Sequence, residues 1–395
     1  MKINKRHHNG DCMHTETHCS ASKECINTIF ASNPKIINHG LHRPIAHSLK
    51  IKKNLTSLAC VSEYTKYRKR LGNASPKAIK HDESIILRFL SLSNFIDLND
   101  FDVENCTQIF EALYFYPKNA NKLKDFSSLS GFEVIEKNLT LKNPYEFLSF
   151  STILKSKQII SQFFKWCVNF EHINFNPISS VVLKKEKPNK KRFKFTDEDL
   201  NKIFCMGDYT NNNFLHNYYY WLPLLLRFTG CRLNELCQLY RCNIEVIDGI
   251  WCICISDKLT NQRIKTASSE RKIPIHSKLL ELGFLDFVQS GTSKRLFPEL
   301  KLVKGYYSNN ASKWFLRRRA KLGLIKGKDA HSFRHTFIDE LKQKKVGKEF
   351  IEALAGHAHK SESLEVYSGK YRPNILQEFI EMIDASHTSH IKPFS

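Results

Sequence analysis

A single stretch of charge divides this chain. In Lys184-Lys-Glu-Lys-Pro-Asn-Lys-Lys-Arg-Phe-Lys194, seven of the eleven residues are basic and only Glu186 is acidic. A segment of that composition cannot enter a hydrophobic core, since each buried charge would need a partner. It reads as an extended linker with Pro188 inside it, and the apolar residues must build separate cores on either side. With 395 residues, 42% of them hydrophobic, there is material for two or three domains.

On the N-terminal side, residues 1–57 are rich in His, Asn, Ser and Lys, show no sustained apolar period, and read as a flexible leader. Over 58–182 the pattern turns helical. Ile85, Ile86, Phe89 and Leu90 recur at helix spacing, as do Ile159, Ile160, Phe163, Phe164, Cys167 and Val168. Asn176-Pro177 marks the end of the second run, because the residue before proline is biased away from the α region. This predicts a small helical bundle, then a linker over 183–195, a second domain over 196–385 and a tail at 386–395. Thr196-Asp-Glu-Asp199 supplies an N-cap with acidic first-turn residues, predicting a helix over about 197–206. Leu222, Leu224, Leu225, Leu226 and Phe228 follow. The alternation of Ile244, Val246, Ile250, Cys252 and Cys254 about Asp248-Gly249 then predicts a β-hairpin. Arg263-Ile-Lys-Thr266 and Arg271-Lys-Ile-Pro-Ile275 are read as the remaining strands, and 277–384 as helical. The expected class is a mainly α multidomain protein whose second domain carries a small antiparallel sheet.

Lys and Arg number 61 against 39 Asp and Glu, a formal net charge of +22, which points to a polyanionic partner. Charge alone does not separate nucleic acid from an acidic membrane surface. No apolar run approaches the roughly 18 residues of a spanning helix, and the N-terminus lacks a signal-peptide core, so a soluble, cytoplasmic protein without membrane association is expected. A basic run is ordinarily a solvated face. A strap joining two domains can also follow a phosphate backbone and gain affinity by counterion release. Lys184, Lys185, Lys187, Lys190, Lys191, Arg192 and Lys194 are therefore candidate phosphate contacts. Of the twelve cysteines, Cys167, Cys231, Cys237, Cys252 and Cys254 fall inside predicted elements and read as reduced, buried thiols. Cys12, His14, His18, Cys19 and Cys25, beside His7 and His8, have no standard zinc spacing, and no metal site is expected.

Four features of the second domain stand in a fixed order: Arg232 after a Thr-Gly turn, Lys265 between predicted strands, His331 and Arg334 as His-x-x-Arg, and Gly356-His357 upstream of Tyr367. Each is weak alone; their order is specific. Thr229-Gly-Cys-Arg-Leu-Asn-Glu-Leu236, Ile264-Lys-Thr266, His331-Ser-Phe-Arg-His-Thr336, Leu354-Ala-Gly-His357 and Glu365-Val-Tyr367 resemble the catalytic boxes of the tyrosine recombinase, or phage integrase, family. The resemblance runs over about 195–384. It extends more faintly to 58–182, where Ile160-Ser-Gln-Phe-Phe-Lys-Trp-Cys167 and Asn174-Phe-Asn-Pro177 are similar to the last helix of the family's core-binding, DNA-binding domain.

A phosphodiester is anionic and attack on it adds a second charge, so the transition state needs fixed cationic donors. The planar guanidiniums of Arg232 and Arg334 can each offer paired N–H donors. The resemblance implies that Tyr367 is the nucleophile, forming a 3′-phosphotyrosyl link and freeing a 5′-hydroxyl, with no ATP, metal or other cofactor. It implies His331 as proton acceptor or phosphate ligand, Lys265 as general acid and His357 as a phosphate hydrogen-bond donor. Glu235, three residues after Arg232, is expected to orient Arg232 or His331. Lys258 and Lys272 compete with Lys265, and Tyr371 with Tyr367. Arg317, Arg318 and Arg319, after Trp314 and Phe315, are either phosphate contacts on an amphipathic helix or a solvated face. Ile375, Phe379, Ile380 and Ile383 form an apolar stripe that packs either on its own core or on a neighbouring protomer.

The expected activity is site-specific DNA recombination for integration or excision of a mobile element. It would be carried out on double-stranded DNA, in the cytoplasm at the nucleoid, by a two-domain clamp that assembles as a tetramer on two sites. The alternatives are relaxation of DNA in the manner of a type IB topoisomerase and a non-catalytic DNA-binding regulator.

Overall fold

A computed structural model describes residues 56–94, 97–184, 193–357 and 370–394. The chain divides between Pro188 and Asn189 into two compact units. The cysteine and histidine cluster of the leader, Lys185, Lys187, Lys190, Lys191, Arg192 and Tyr367 all lie outside the described residues.

The first unit is built from α1 (Ser57–Leu71), α2 (Pro76–Ser91), α3 (Val103–Ala112), α4 (Gly131–Thr140) and α5 (Phe150–Asn169). Their starts follow from local chemistry. The Thr56 hydroxyl accepts from the Ala59 amide, Ser75 does the same for Ala78 ahead of Pro76, and Asp102 with Asn105 closes a capping box. Ile85, Ile86, Phe89 and Leu90 face inward and meet Ile153, Ile160, Phe163, Phe164 and Cys167 of α5. Phe101, Phe110 and Phe164 surround Phe89, with ring centroids 5.4–6.2 Å away. The helix α5 stops at Asn169, before Asn176-Pro177. Glu171 takes a positive φ of 58°, and the Asn176 side chain instead caps a 3-10 turn over Pro177–Ser180 while donating to the Ser161 carbonyl.

The second unit opens with α6 (Asp197–Phe204), where Thr196 and Asp199 form a capping box, followed by the single turn α7 (Gly207–Thr210). At its centre is α8 (Asn217–Thr229), in which Tyr220, Trp221, Leu222, Leu224, Leu225, Leu226 and Phe228 are all buried. Then come α9 (Leu233–Cys237), β1 (Ile244–Ile247), β2 (Ile250–Ile255), β3 (Arg271–Pro274), α10 (Ser277–Glu281), α11 (Phe284–Ser290), α12 (Ser308–Lys321), α13 (Ala330–Gln343), α14 (Lys348–Ala355) and α15 (Pro373–Glu381). The sheet is antiparallel in the order β1-β2-β3. Asp248 and Gly249, with φ of 52° and 79°, make the two-residue turn that matches strand twist.

One detail of the sheet differs from the sequence expectation, the strand read over 263–266. Ile247 pairs with Ile250 and Ile244 with Ile253, so the turn reverses the parity of inward-facing positions. On β2, Cys252, Ile253 and Ile255 are buried, while Ile250 and Cys254 are half-buried. Residues 263–266 form no strand; Lys265 lies in the long loop between β2 and β3.

The apolar stripe of α15 packs on its own unit: Leu376, Ile380 and Ile383 belong to the main core, Phe379 packs at its edge and Ile375 is exposed. The chain beyond it is packed as well. The Phe394 amide donates to the Leu282 carbonyl at 3.0 Å, the Tyr220 hydroxyl donates to the Lys392 carbonyl at 2.7 Å, and the Phe394 ring lies 5.2–5.4 Å from those of Phe214, Tyr220, Trp221 and Phe287. Buried Arg227 pairs with Glu340 at 2.7 Å and donates to the Asp384 carbonyl at 2.8 Å, holding the turn after α15. No helix among the described residues is long and apolar enough to cross a membrane. Replacing Phe394 with Ala should lower stability by about 2 kcal/mol, from lost burial and ring contacts. Denaturant unfolding of the wild type and the variant measures this.

Candidate functional site

The site begins where α8 ends. Gly230 closes that helix with φ 60°, and a Cβ there would stand 2.4 Å from the Phe337 ring, so only glycine fits. The chain turns at once into α9, with Arg232 as its N-cap residue and Glu235 in its first turn. Glu235 is 3% exposed and accepts three hydrogen bonds. These come from the Arg232 amide at 2.9 Å, Arg232 Nη1 at 2.6 Å and Arg271 Nη2 at 2.9 Å, the last two also being ion pairs. Burial works against the Glu235 carboxylate, but Arg271 and then Arg232 outweigh it and hold its pKa below the usual value.

Arg271, the first residue of β3, has no counterpart in the motif reading, where it was only a strand residue. It is 6% exposed. Besides Glu235 it donates to the Leu354 carbonyl at 2.7 Å, to the Ser269 carbonyl at 2.8 Å and to Cys231 Sγ at 3.2 Å. A Cβ on Gly356, whose φ is 67°, would meet the Arg271 guanidinium at 2.7 Å. The glycine before His357 thus makes room for this arginine.

Arg334, on α13, is 2% exposed and donates through Nη1 to the Gly230 carbonyl at 2.9 Å. Its Nη2 has no hydrogen-bond partner among the described residues. Burial, then the nearby charges of Arg232 and Arg271, pulls its pKa down to about 10, which leaves it cationic at neutral pH. Arg232 donates through Nη2 to the Gly356 carbonyl at 3.2 Å and through Nη1 to Ser269 Oγ at 3.3 Å. Each arginine is therefore seated on a carbonyl at a helix C-terminal end: Arg334 on that of α8, Arg232 and Arg271 on that of α14. These ends carry partial negative charge. His357 follows α14, its amide bonded to the Glu352 carbonyl at 3.0 Å, and it keeps an exposed face. Loss of water on its other side, then Arg334 and Arg232, lowers its pKa and favours the neutral imidazole. Three guanidiniums against one carboxylate leave a surplus of positive charge, the electrostatics of a preformed anion site.

His331 lies in the first turn of α13, where the Asp329 side chain accepts from its amide at 2.8 Å. Its ring lies 4.9 Å from that of His335, one turn along. Lys265 is exposed and forms no ion pair among the described residues. Lys258 is held by Glu270 at 2.9 Å, and Lys272 lies on β3 opposite Cys254. Tyr371 packs on Phe350, ring centroids 4.7 Å apart. Of the basic candidates, Lys184 is exposed, Lys194 pairs with Asp339 at 2.5 Å, and Arg317 is exposed. Arg318 pairs with buried Asp208 at 2.8 Å and lies over the Tyr219 and Trp314 rings, while Arg319 is half-buried.

Glu235→Gln should cost about 3–5 kcal/mol, because it leaves buried guanidiniums without a counter-charge. A carboxyl with a lowered folded pKa stabilises the fold above its unfolded value and loses that contribution as pH falls. The wild type should therefore lose stability below about pH 4.5, and the variant should show a flatter acid limb. Denaturant melts across pH 3–7 measure both.

Residues 195–372 match the phage integrase family. The chain is 26% identical over 224 residues to the tyrosine recombinase XerC of Anoxybacillus flavithermus, covering 55% of this chain and 70% of that one. It is 24% identical over 314 residues to a tyrosine recombinase of Agathobacter rectalis, covering 77% and 88%. In fold it is similar to the Tn1549 transposon integrase solved with a circular intermediate DNA, at TM-score 0.53 and 18% identity, covering 78% of this chain and 95% of that one. A lambda integrase tetramer bound to a Holliday junction gives TM-score 0.54 at 15% identity, covering 86% and 89%. With the ordered motifs, a mainly α fold bearing a three-stranded sheet, and these matches, the chain carries a phage integrase family domain over residues 195–372 and is a tyrosine-type site-specific DNA recombinase.

Proposed function

We propose that this recombinase integrates or excises a mobile element, acting as a tetramer on two double-stranded DNA sites in the cytoplasm, at the nucleoid. The observation that carries the catalytic reading is buried Arg334, whose Nη2 has no partner among the described residues, in the field of Arg232. A buried donor left unpaired costs stability unless a ligand arrives to accept from it. A phosphodiester oxygen is such an acceptor. The tetrameric reading is supported by the lambda integrase of similar fold, whose structure is a tetramer on a Holliday junction.

In the proposed reaction Arg232 and Arg334 clamp the scissile phosphate, and neutral His357 donates a hydrogen bond to it. The Tyr367 oxygen attacks phosphorus, and the bond to the 5′-oxygen breaks as Lys265 protonates that oxygen. His331 takes up the tyrosine proton or bonds the phosphate. The link is reversed by a 5′-hydroxyl of the partner strand, so the bond energy is retained and no external energy source is required. Glu235 and Arg271 set the angle of Arg232 without touching DNA. The exposed Lys184 and Arg317, with the strap through Lys185, Lys187, Lys190, Lys191 and Arg192, add non-specific phosphate contacts. Lys194 and Arg318 are already paired within the protein. They contribute less unless DNA displaces Asp339 or Asp208.

The test is covalent trapping. The full chain is incubated with a pool of nicked duplexes of randomised core sequence, and protein–DNA adducts are recovered on denaturing gels and sequenced. The wild type should yield adducts of one related sequence, Tyr371→Phe should retain them and Tyr367→Phe should abolish them. Arg232→Lys should slow adduct formation on the recovered sequence by on the order of 10²-fold. Adducts from Tyr367→Phe would move the nucleophile elsewhere, and none from the wild type would remove the catalytic reading.

A further inference from the structure

The loop from Ser256 to Glu270 carries Lys265 and has no strand or long helix to hold it. What holds it is a set of side-chain amides. Gln238 is 1% exposed and caps the C-terminal end of α9, the helix that Arg232 starts. Its Oε1 accepts from the Arg263 amide at 3.0 Å and its Nε2 donates to the Arg263 carbonyl at 3.1 Å. This two-way bond to a single residue fixes both the position and the tilt of the backbone two residues before Lys265. The Arg263 amide can only donate, which sets the orientation of the Gln238 amide. Asn234 adds a third bond to Gln238 Oε1 at 2.9 Å.

A second layer supports the first. Gln262, 7% exposed, donates to the Gln238 carbonyl at 3.3 Å and to Asn243 Oδ1 at 2.8 Å. The Tyr240 hydroxyl donates to the Thr260 carbonyl at 2.9 Å. On the far side of Lys265 the loop is pinned again at Ser269, whose Oγ accepts from Arg232 and whose carbonyl accepts from Arg271. Lys265 thus sits between two anchors, and both lead back to α9, one to each of its ends.

We propose that Gln238 is a positioning residue that ties the Lys265 loop to the helix bearing Arg232, so that proton donor and phosphate clamp keep one geometry. The inference rests on the assignment of Lys265 as general acid. In that step the Tyr367 oxygen–phosphorus bond forms, the phosphorus–5′-oxygen bond breaks, and a proton passes from Lys265 Nζ to the departing oxygen. An alkoxide is a poor leaving group without that proton, whereas a thiolate, whose conjugate acid has a pKa near ~8.5, leaves without it.

The experiment measures single-turnover cleavage of a nicked duplex carrying the trapped core sequence, in two forms: with the natural 5′-oxygen and with sulfur in its place at the scissile position. Gln238→Leu should slow cleavage of the oxygen form by roughly 10²-fold, the scale of a misplaced catalytic group, and should cleave the sulfur form at near the wild-type rate. Lys265→Ala should show the same pattern. Tyr240→Phe removes only the exposed bond to Thr260 and leaves the buried amides intact, and it should move in the same direction by less. It carries the test if Gln238→Leu does not fold. If Lys265→Ala is rescued by sulfur while Gln238→Leu and Tyr240→Phe are slowed equally on both forms, or on neither, the clasp is wrong. If Lys265→Ala is not rescued, Lys265 is not the acid, and the inference falls with that assignment.

Discussion

The second unit is organised around a single carboxylate. Glu235 bonds two guanidiniums that arrive from different elements, Arg232 three residues before it and Arg271 from the start of β3. Because Arg271 also reaches the Leu354 and Ser269 carbonyls, this one acid fixes the relative positions of the turn after α8, the edge of the sheet and the end of α14. A buried ion cluster of this kind contributes little net stability, since desolvation offsets most of the attraction. Its value is specification: with the guanidinium forks satisfied on so many sides, few other arrangements of these three elements would leave no charge stranded.

The same cluster explains how a basic site can exist before DNA arrives. Like charges would drive Arg232, Arg271 and Arg334 apart if nothing opposed them. Helix C-terminal carbonyls and Glu235 oppose them, but the opposition is incomplete, and the unpartnered Nη2 of Arg334 is where the deficit shows. In the proposed site a phosphate group would supply what is missing. On that proposal substrate recognition and relief of internal repulsion would be one event, and His357, kept neutral by burial and then by the same field, could donate a hydrogen bond without adding to the charge.

What could be read from the sequence was what depends on neighbours along the chain. The helical periods around Phe89 and Phe163, the Thr196 cap and the Asp248-Gly249 turn are local signals, and each element formed where its signal stood. The motif arginines Arg232 and Arg334 were legible from their boxes. Arg271 and Gln238 were not, because their partners lie 36 and 25 residues away and nothing in an isolated Arg or Gln announces them. The misread strand at 263–266 has the same origin: Arg-Ile-Lys-Thr alternates like a strand, but its backbone bonds go to a glutamine side chain. At Asn176-Pro177 the proline was read as ending α5, when a positive-φ residue at Glu171 had already done so.

The packed segment after α15 has a bearing on how the protein is made. Phe394 completes the ring cluster around Trp221, a residue laid down some 170 positions earlier at the centre of the unit. During synthesis α8 emerges long before the residue that covers it. Its aromatic face must wait, exposed or held by other factors, until position 394 has cleared the ribosome. The arginine cluster hangs from the end of that same helix, so a chain halted short of this point would carry every candidate cationic residue of the site on an unfinished scaffold. Closure of the core thereby ties the stability of the scaffold under the arginine cluster to a ring laid down at residue 394.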